Sequence, residues 1–155
     1  MVRQVTRGRG RLVFLGSAPS DLAAPTQAEI TAGTDITPSV RSVDGWDLSV
    51  ADLDIADLSS DFQKTGAGTS SAASSSVAFY ADDAGAAAIL TALAEDTAGW
   101  MAFLRNGQAS TEPSKIWPCQ VKVHNDRDVQ AMDEPPTTVV EFGLTDRPTK
   151  GTQAA

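Results

Sequence analysis

The sequence DDAGAAAILTALAEDTAGWMAFL, residues 82–104, predicts a helix followed directly by a strand and decides the fold class. Asp82 suits a helix N-cap and Asp83 adds negative charge at the first turn, so the helix is expected to begin near Ala84. Apolar residues at i, i+3, i+4 and i+7 then define one buried face. This stripe consists of Ala86, Ile89, Leu90 and Leu93.

Residues 100–104, at the end of the same stretch, are apolar on both faces of a strand. Gly99 favours a left-handed backbone conformation that would end the preceding helix. A strand without a polar face is typical of the centre of a sheet. We therefore expect this strand to be covered by the helix on one side and by other strands on the other.

Short β-patterned segments separated by Gly, Pro and Asn lie on both sides of this unit and predict a mainly β fold with one flanking helix. The predicted strands cover residues 11–16, 35–43, 46–55, 76–81, 116–125 and 137–146. Pro25 at a first helical position, with Thr26 and Glu29 in capping-box spacing, predicts one helical turn before Gly33. Asn106-Gly107 predicts a hairpin.

Composition divides the 155 residues into an arm, one domain and a tail. Residues 1–10 are basic and contain glycine, which is typical of a flexible arm, and residues 11–147 hold all the predicted strands. Residues 148–155 are expected to be a flexible tail, disordered or pinned by a neighbour. Residues 66–76, GAGTSSAASSS, contain nothing large enough to anchor in a core and predict a flexible loop.

Charge is distributed unevenly along the chain. The formal net charge is −8, yet four arginines give the first 11 residues +4, so the remaining residues carry −12. An acidic body repels phosphates, which disfavours a DNA-reading function while leaving passive contact with DNA open. The apolar run at residues 12–15 is too short for a signal-peptide core and no stretch approaches membrane-spanning length, so no membrane insertion is expected.

No complete catalytic pattern is present. His124 is the single histidine and is predicted to lie on the polar face of its strand. Cys119, the single cysteine, is predicted to point inward, whereas a catalytic thiolate requires an electropositive, partly exposed position. A carboxylate pair created by folding stays open, but no spacing indicates one. The sequence therefore predicts a protein that is not an enzyme.

The sequence motifs for binding a metal ion or a nucleotide are also incomplete. The acidic run at Asp52, Asp54 and Asp57 lacks the glycine and glutamate that an EF-hand loop needs at its sixth and twelfth positions. Gly66 and Gly68 are followed by a serine tract, not by the GK[ST] of a phosphate-binding loop. We therefore expect no cofactor.

Two long segments resemble the major tail protein, or tail tube protein, of long-tailed phages. They read APTQAEITAGTDIT at 24–37 and VDGWDLSVADLDIADLSSDFQKTGAGTSSAASSSVAFYADD at 43–83. In that family a Gly-aromatic strand, an Asp-Leu-Ser-Ser-x-Phe stretch, an aromatic strand ending in acidic residues and one helix follow in this order. The resemblance covers about residues 11–147 and is to non-contractile phages, particularly those of actinobacterial hosts.

This resemblance implies a β-sandwich or small barrel whose copies form hexameric rings, which stack into a hollow tube for DNA delivery. It implies assembly in the bacterial cytoplasm, a place in the virion tail, and tail terminator, tail-tip and tape measure proteins as partners. Closing six sheets into one inner barrel would also satisfy unpaired strand edges.

Two groups of residues are then expected to join subunits. A basic arm would dock on the acidic body of a neighbour, and residues 57–76 would become ordered when rings stack, with Phe62 as an anchor. The arm residues are Arg3, Arg7, Arg9 and Arg11. The stacking residues are Asp57, Asp61, Phe62, Lys64, Gly66 and Gly68.

A third group is expected to face the lumen. An acidic wall would repel DNA at short range and leave the duplex mobile, whereas a basic wall would hold the phosphates. The candidate residues are Asp44, Asp47, Asp52 and Asp54.

Two other classes of protein remain open. A capsid decoration or tail-completion protein would share the β-rich pattern but would stop at a defined oligomer. A monomeric ligand-binding β-domain would show clustered exposed aromatic residues, whereas the nine aromatic residues here mostly fit core positions.

Overall fold

Ten strands and two α-helices are formed by the residues that the computed structural model describes, which are 9–55, 61–81, 84–107, 111–127 and 134–154. The strands are β1 (Arg11–Leu15), β2 (Thr34–Asp35), β3 (Val40–Asp44), β4 (Leu48–Ile55), β5 (Lys64–Ala72), β6 (Ser75–Tyr80), β7 (Ala98–Leu104), β8 (Pro113–Arg127), β9 (Thr137–Leu144) and β10 (Thr149–Thr152). The helices are α1 (Gln27–Ala32) and α2 (Ala84–Ala92), and a 3-10 turn covers Thr37–Ser39.

Eight strands form one antiparallel sheet in the order β2-β1-β7-β8-β9-β6-β3, with β10 paired to β8. Leu12 and Phe14 of β1 share a hydrophobic core with Val77 and Phe79 of β6, although three strands separate β1 from β6 in the sheet. The sheet must therefore curl back on itself around that core. The predicted mainly β fold with a flanking helix is confirmed.

Helix α2 and strand β7 form as the opening stretch predicts. The helix begins at Ala84, and its stripe residues Ala86, Ile89 and Leu93 are buried while Leu90 is half-buried. Strand β7 lies inside the sheet, paired with β1 on one edge and β8 on the other. Asp82 and Asp83 lie outside the described residues.

The covering of β7 differs from the prediction in one respect. Ile89 of α2 and Phe79 of the facing strand belong to the same core cluster as Met101, so helix and strands cover the same face of β7. On the other face Ala102 packs in a second cluster with Ile30 of α1. The short helix α1, not a layer of strands, therefore completes the burial of β7.

The left-handed residue after α2 is Asp96, with φ 64°, and not Gly99. Aspartate tolerates this conformation because its short polar side chain can hydrogen-bond locally. Gly99 instead lies in β7, where an added Cβ would come within 2.4 Å of the Phe14 ring. The glycine is needed for close packing between neighbouring strands.

Helix α1 is capped as predicted. The Glu29 backbone N–H donates to Thr26 Oγ1 at 3.3 Å, and the Thr26 N–H donates back to Glu29 Oε2 at 2.9 Å. Thr26 is the N-cap, so Pro25 precedes the cap and does not occupy the first helical position. Backbone N–H groups of Ser20 and Thr26 are the main cause that lowers the pKa of Glu29 to about 2.

Three predicted segments are wrong. The strand expected at 35–43 is interrupted by a 3-10 turn around Pro38, whose ring lacks the N–H that a ladder needs. The flexible loop expected at 66–76 is mostly strand β5, paired through its backbone with β4. The flexible tail expected at 148–155 contains β10, which pairs with β8 of the same chain, and Gln153 is buried.

The strands predicted at 116–125 and 137–146 and the hairpin connection before them are confirmed. Asn106 and Gly107 lie in the connection between the antiparallel strands β7 and β8, where Asn106 is part of a turn and Gly107 has φ 97°. Trp117, Cys119 and Val121 of β8 are buried, as are alternate residues of β9. A register shift between Val121 and Val123 then ends the strict alternation in β8.

Trp46 joins the sheet to the paired strands β4 and β5, which form a separate two-stranded sheet. Its ring lies 5.2 Å from Phe103, 5.3 Å from Phe142 and 6.0 Å from Trp117, measured between centroids. The Trp46 backbone has φ 63°, an unfavourable value for a bulky residue. Its backbone N–H donates to Ser75 Oγ at 3.1 Å and its indole N–H donates to the Ser76 carbonyl at 3.4 Å.

We predict that Glu29→Ala destabilises the fold in a pH-dependent way. The pKa of Glu29 falls from 4.5 to about 2 on folding, so the carboxylate stabilises the fold above pH 4.5 and loses that effect as pH falls toward 2. The thermal midpoint of the variant should lie below that of wild type at pH 7, and the gap should narrow at acid pH. Glu29→Gln, which is uncharged, is the control. The prediction would be contradicted if the thermal midpoint of this variant depended on pH as that of wild type does.

We also predict that Trp46→Ala costs about 3–5 kcal/mol in the free energy of unfolding, because a large buried ring is lost and leaves a cavity. Trp46→Phe should cost less, since it keeps an aromatic ring and loses mainly the indole hydrogen bond. Urea denaturation measures both. Equal costs for the two variants would contradict a role for the aromatic cluster.

Candidate assembly surface

The groups that could support catalysis have structural roles. His124 Nε2 lies 2.6 Å from the Leu93 carbonyl after the end of α2, so this residue is half-buried and not a free surface histidine. Burial raises the pKa of the Cys119 thiol to about 12, which keeps it protonated and unreactive. Within the described residues no group of three His, Cys, Asp or Glu side chains could hold a metal ion.

Exposed apolar side chains concentrate in one part of the molecule. All six large apolar residues that are exposed in the described part of the chain fall between positions 43 and 62. They are Val43, Leu48, Val50, Leu53, Ile55 and Phe62. Such clustering is a feature of surfaces that become covered by a partner.

Four of these six residues belong to the β4–β5 ribbon, which we define as strands β4 and β5 paired with each other. Among the residues that the structure describes, neither strand pairs with the eight-stranded sheet. At about 3.3 Å per residue, the eight residues of β4 extend about 26 Å. An isolated two-stranded hairpin is at best marginally stable in water, so the ribbon is expected to need further contacts.

The two faces of the ribbon differ toward its free end. Side chains alternate along β4, which places Asp52 and Asp54 on one face and Leu53 and Ile55 on the other. On the aliphatic face an added Cβ at Gly66 would lie 3.2 Å from Ile55 Cδ1. Gly66, which pairs with Leu53, therefore adds no side chain to this aliphatic face.

A register shift between Val50 and Asp52 divides the ribbon into two halves. In the half nearer the large sheet, Leu48 and Val50 lie on the same face of the ribbon as the two aspartates, which are farther from that sheet. The base is also held by Arg147, whose guanidinium donates to the Ser70 hydroxyl. Both faces thus carry an apolar patch, at different distances from the sheet.

The predicted stacking residues are found in or next to this ribbon. Asp61, Phe62 and Lys64 are exposed between its strands or at the start of β5, and Gly66 and Gly68 lie within β5. Asp57 lies outside the described residues. Sequence reasoning missed the aliphatic residues of β4, although the alternating pattern in DLDI at 52–55 is the signal of an exposed strand.

The four predicted lumen residues are all exposed and lie in two parts of the structure. Asp44 ends β3 in the large sheet, and Asp47 lies in the connection to β4. Asp52 and Asp54 lie on the ribbon. Two of them therefore lie at or beside the end of β3, and two lie on the ribbon.

The predicted arm needs one correction. Arg11 is the first residue of β1, and its guanidinium forms an ion pair with Asp35 of its own chain. Burial opposes ionisation of Asp35, but hydrogen bonds from Thr37 and Arg11 lower its pKa. Arg11 is therefore part of the sheet and not of the arm. Arg9 is exposed, and Arg3 and Arg7 lie outside the described residues.

Neither helix in the described part of the chain has the length and apolar character of a membrane span. No curated protein matches the chain in a sequence comparison. Solved structures similar in fold include the tail of an empty GTA particle, with TM-score 0.56, 14% identity, and coverage of 96% of this chain and 98% of that one. The baseplate of the anti-feeding prophage is similar with TM-score 0.58, 11% identity, and coverage of 96% and 97%.

A family model shows to which family the chain belongs, whereas structures of such low sequence identity show the fold alone. The model described as "Phage tail tube protein" matches residues 1–155. Its match extends over the curled sheet, the capped helix α1 and the β4–β5 ribbon alike. The chain therefore belongs to the phage tail tube protein family.

Proposed function

We propose that six copies of this chain form a ring and that rings stack into the hollow tube through which phage DNA passes. The observation that carries this proposal is the β4–β5 ribbon, an element with two partly apolar faces and no partner strand in the large sheet. Family membership and the two similar structures, a tail and a baseplate that are both described with six-fold symmetry, support it.

Ring closure would use the open edges of the sheet. In the described residues β2 and β3 end the strand order, and each offers backbone donors and acceptors on its outer edge. Unpaired edges invite pairing with another chain, and a closed barrel made from several subunits removes them. Six curled sheets side by side would form such a barrel.

Ring stacking would use the β4–β5 ribbon, with Phe62 and the aliphatic face near its end. Covering Leu53 and Ile55, which are 55% and 47% exposed, would stabilise a contact by roughly 1 kcal/mol per side chain. Repeated six times around a ring, this modest energy would hold two rings together.

Charged groups would have two roles in this assembly, one in the lumen and one between subunits. Aspartates such as Asp44 and Asp47 would give the lumen its negative charge, and Arg3, Arg7 and Arg9 would dock on the acidic body of a neighbour. DNA would then be repelled at short range and would stay mobile.

The setting would be a long, non-contractile tail of a phage with an actinobacterial host. Rings would be assembled in the host cytoplasm, with tail terminator, tail-tip and tape measure proteins as partners and with no enzymatic step.

We predict that the purified protein forms hollow tubes of six-fold symmetry, seen by negative-stain electron microscopy at rising protein concentration. Salt and protein concentration should be varied together, since charge contacts weaken as the Debye length falls to about 8 Å at 0.15 M. A closed oligomer that never elongates would instead favour a decoration or tail-completion protein. A protein that stays monomeric at every concentration would favour a ligand-binding domain.

We predict that replacing Leu53 and Ile55 together with threonine raises the concentration needed for tube formation roughly 10- to 30-fold, because two aliphatic contacts are lost per subunit. Threonine keeps β-branching, so the ribbon should still form. The thermal midpoint of the dilute subunit should not change.

The matched control is the double change Thr65→Ser and Thr69→Ser, which alters two exposed residues of the same ribbon without removing a large apolar side chain. Sedimentation of assembled tubes measures all three proteins. Equal assembly by the Leu53/Ile55 variant and the control would contradict a stacking role for this face.

A further inference from the structure

A cavity of about 660 Å³ opens at the base of the β4–β5 ribbon, between β1, β3, β7, β8 and β10. Its lining includes Val43, which is exposed, Phe103, which is half-buried, and Trp46 and Trp117, which are buried. Its size is within the range of ligand-binding clefts, roughly 300–1,000 Å³. We define it as the basal cavity.

Positive charge surrounds the basal cavity. Arg105, Lys115 and Lys150 line it, and no acidic residue is among the described residues that do so. Burial and the nearby charge of Lys150 lower the pKa of Lys115, although Asp47 acts in the opposite direction. The ammonium group of Lys115 lies 4.3 Å from the centre of the Trp117 ring. In a protein of net charge −8, this concentration of cations calls for an acidic partner.

We propose that the basal cavity is the socket for the free end of the β4–β5 ribbon of a second copy of this chain. Asp52 and Asp54 of the incoming ribbon would face the cations, while Leu53 and Ile55 on the opposite face would contact the accessible apolar lining at Val43 and Phe103. This inference rests on the proposed stacking of rings and names the surface that receives each ribbon.

Other segments of the same chain fit the basal cavity poorly. The ribbon begins beside its own cavity, since Trp46 and β4 are separated only by Asp47, and its end lies about 26 Å farther out. The N-terminal arm is basic and would be repelled by Arg105, Lys115 and Lys150. The charge of the arm and the distance of the ribbon's end from its own cavity therefore both favour a second copy of the chain as the occupant.

Such a contact joins two different surfaces of the same protein. A heterologous contact of this kind does not close on itself in a dimer and instead produces rings or open filaments. Every subunit would offer one ribbon and one cavity, so each added copy would recreate the site for the next. Growth by stacking follows from this polarity.

The test is a charge exchange between two variants. Variant one carries Arg105→Glu and Lys150→Glu, which make the cavity rim acidic at two exposed positions. Variant two carries Asp52→Lys and Asp54→Lys, which make the ribbon end basic. Each variant alone brings like charges together and should raise the concentration for tube assembly at least about tenfold. An equimolar mixture should restore assembly, because each ribbon then meets a cavity of opposite charge.

The control for variant one is Lys122→Glu with Arg127→Glu, an equal charge change at exposed residues outside the basal cavity. Circular dichroism melts of dilute samples establish that every variant folds. Restored tubes in the mixture, with the control assembling as wild type does, would support the socket.

Cross-linking gives a second measurement. In a Cys119→Ser background, Asp54→Cys combined with Lys150→Cys should yield a ladder of disulfide-linked oligomers after oxidation of tubes. Each single cysteine should yield dimers at most. Tubes that form normally without a ladder would overturn the socket while leaving the proposed function intact, whereas failure of wild type to form tubes would overturn the proposed function itself.

Binding of a fluorescent DNA duplex to the basal cavity would be measured as a third test. Duplex binding that variant one abolishes, together with tube assembly that variant one leaves unchanged, would identify the cavity as a site for phosphate groups and would overturn the proposal.

Discussion

The packing of one tryptophan ring links the two sheets of this protein. Trp46 lies between Phe103, Phe142 and Trp117, and this burial offsets the cost of its left-handed backbone. Gly45 has the same handedness, and an added Cβ there would meet the Ser74 carbonyl at 2.2 Å. The pair therefore turns the chain sharply out of the large sheet while holding it by a buried anchor. The position of the ribbon, and of the cavity beside it, depends on that anchor.

Side-chain periodicity was sufficient for the elements that build the core. The stripe of α2, the capping box at Thr26 and the alternation in β8 each place apolar groups against other apolar groups, so the sequence contains the signal directly. Strand β5 could not be recognised in this way. Its Gly, Ala and Ser residues bury little, and the strand exists because its backbone pairs with β4. The same applies to β10, whose pairing with β8 has no apolar signature.

The candidate site was predictable only in part. The acidic and glycine-rich residues of the ribbon were recognised from a family resemblance, and they lie in or beside one exposed element. The basal cavity was not foreseen, because Arg105, Lys115 and Lys150 come from different parts of the chain. The pairing of β7 and β10 with β8 brings them together. The register of the whole sheet determines which of these residues become neighbours, and that register cannot be read from local sequence.

The aspartates of β4 also affect the protein before any tube exists. In the described part of the chain the ribbon has two open edges and several exposed aliphatic side chains, a combination that favours intermolecular β-pairing. Asp52 and Asp54 interrupt the apolar residues at every second position, as gatekeeper residues do in aggregation-prone segments. Like charges on two ribbons placed edge to edge would repel each other. In the proposed assembly, this charge would oppose edge-to-edge pairing of free ribbons and would leave the apolar surface for a partner that neutralises the aspartates.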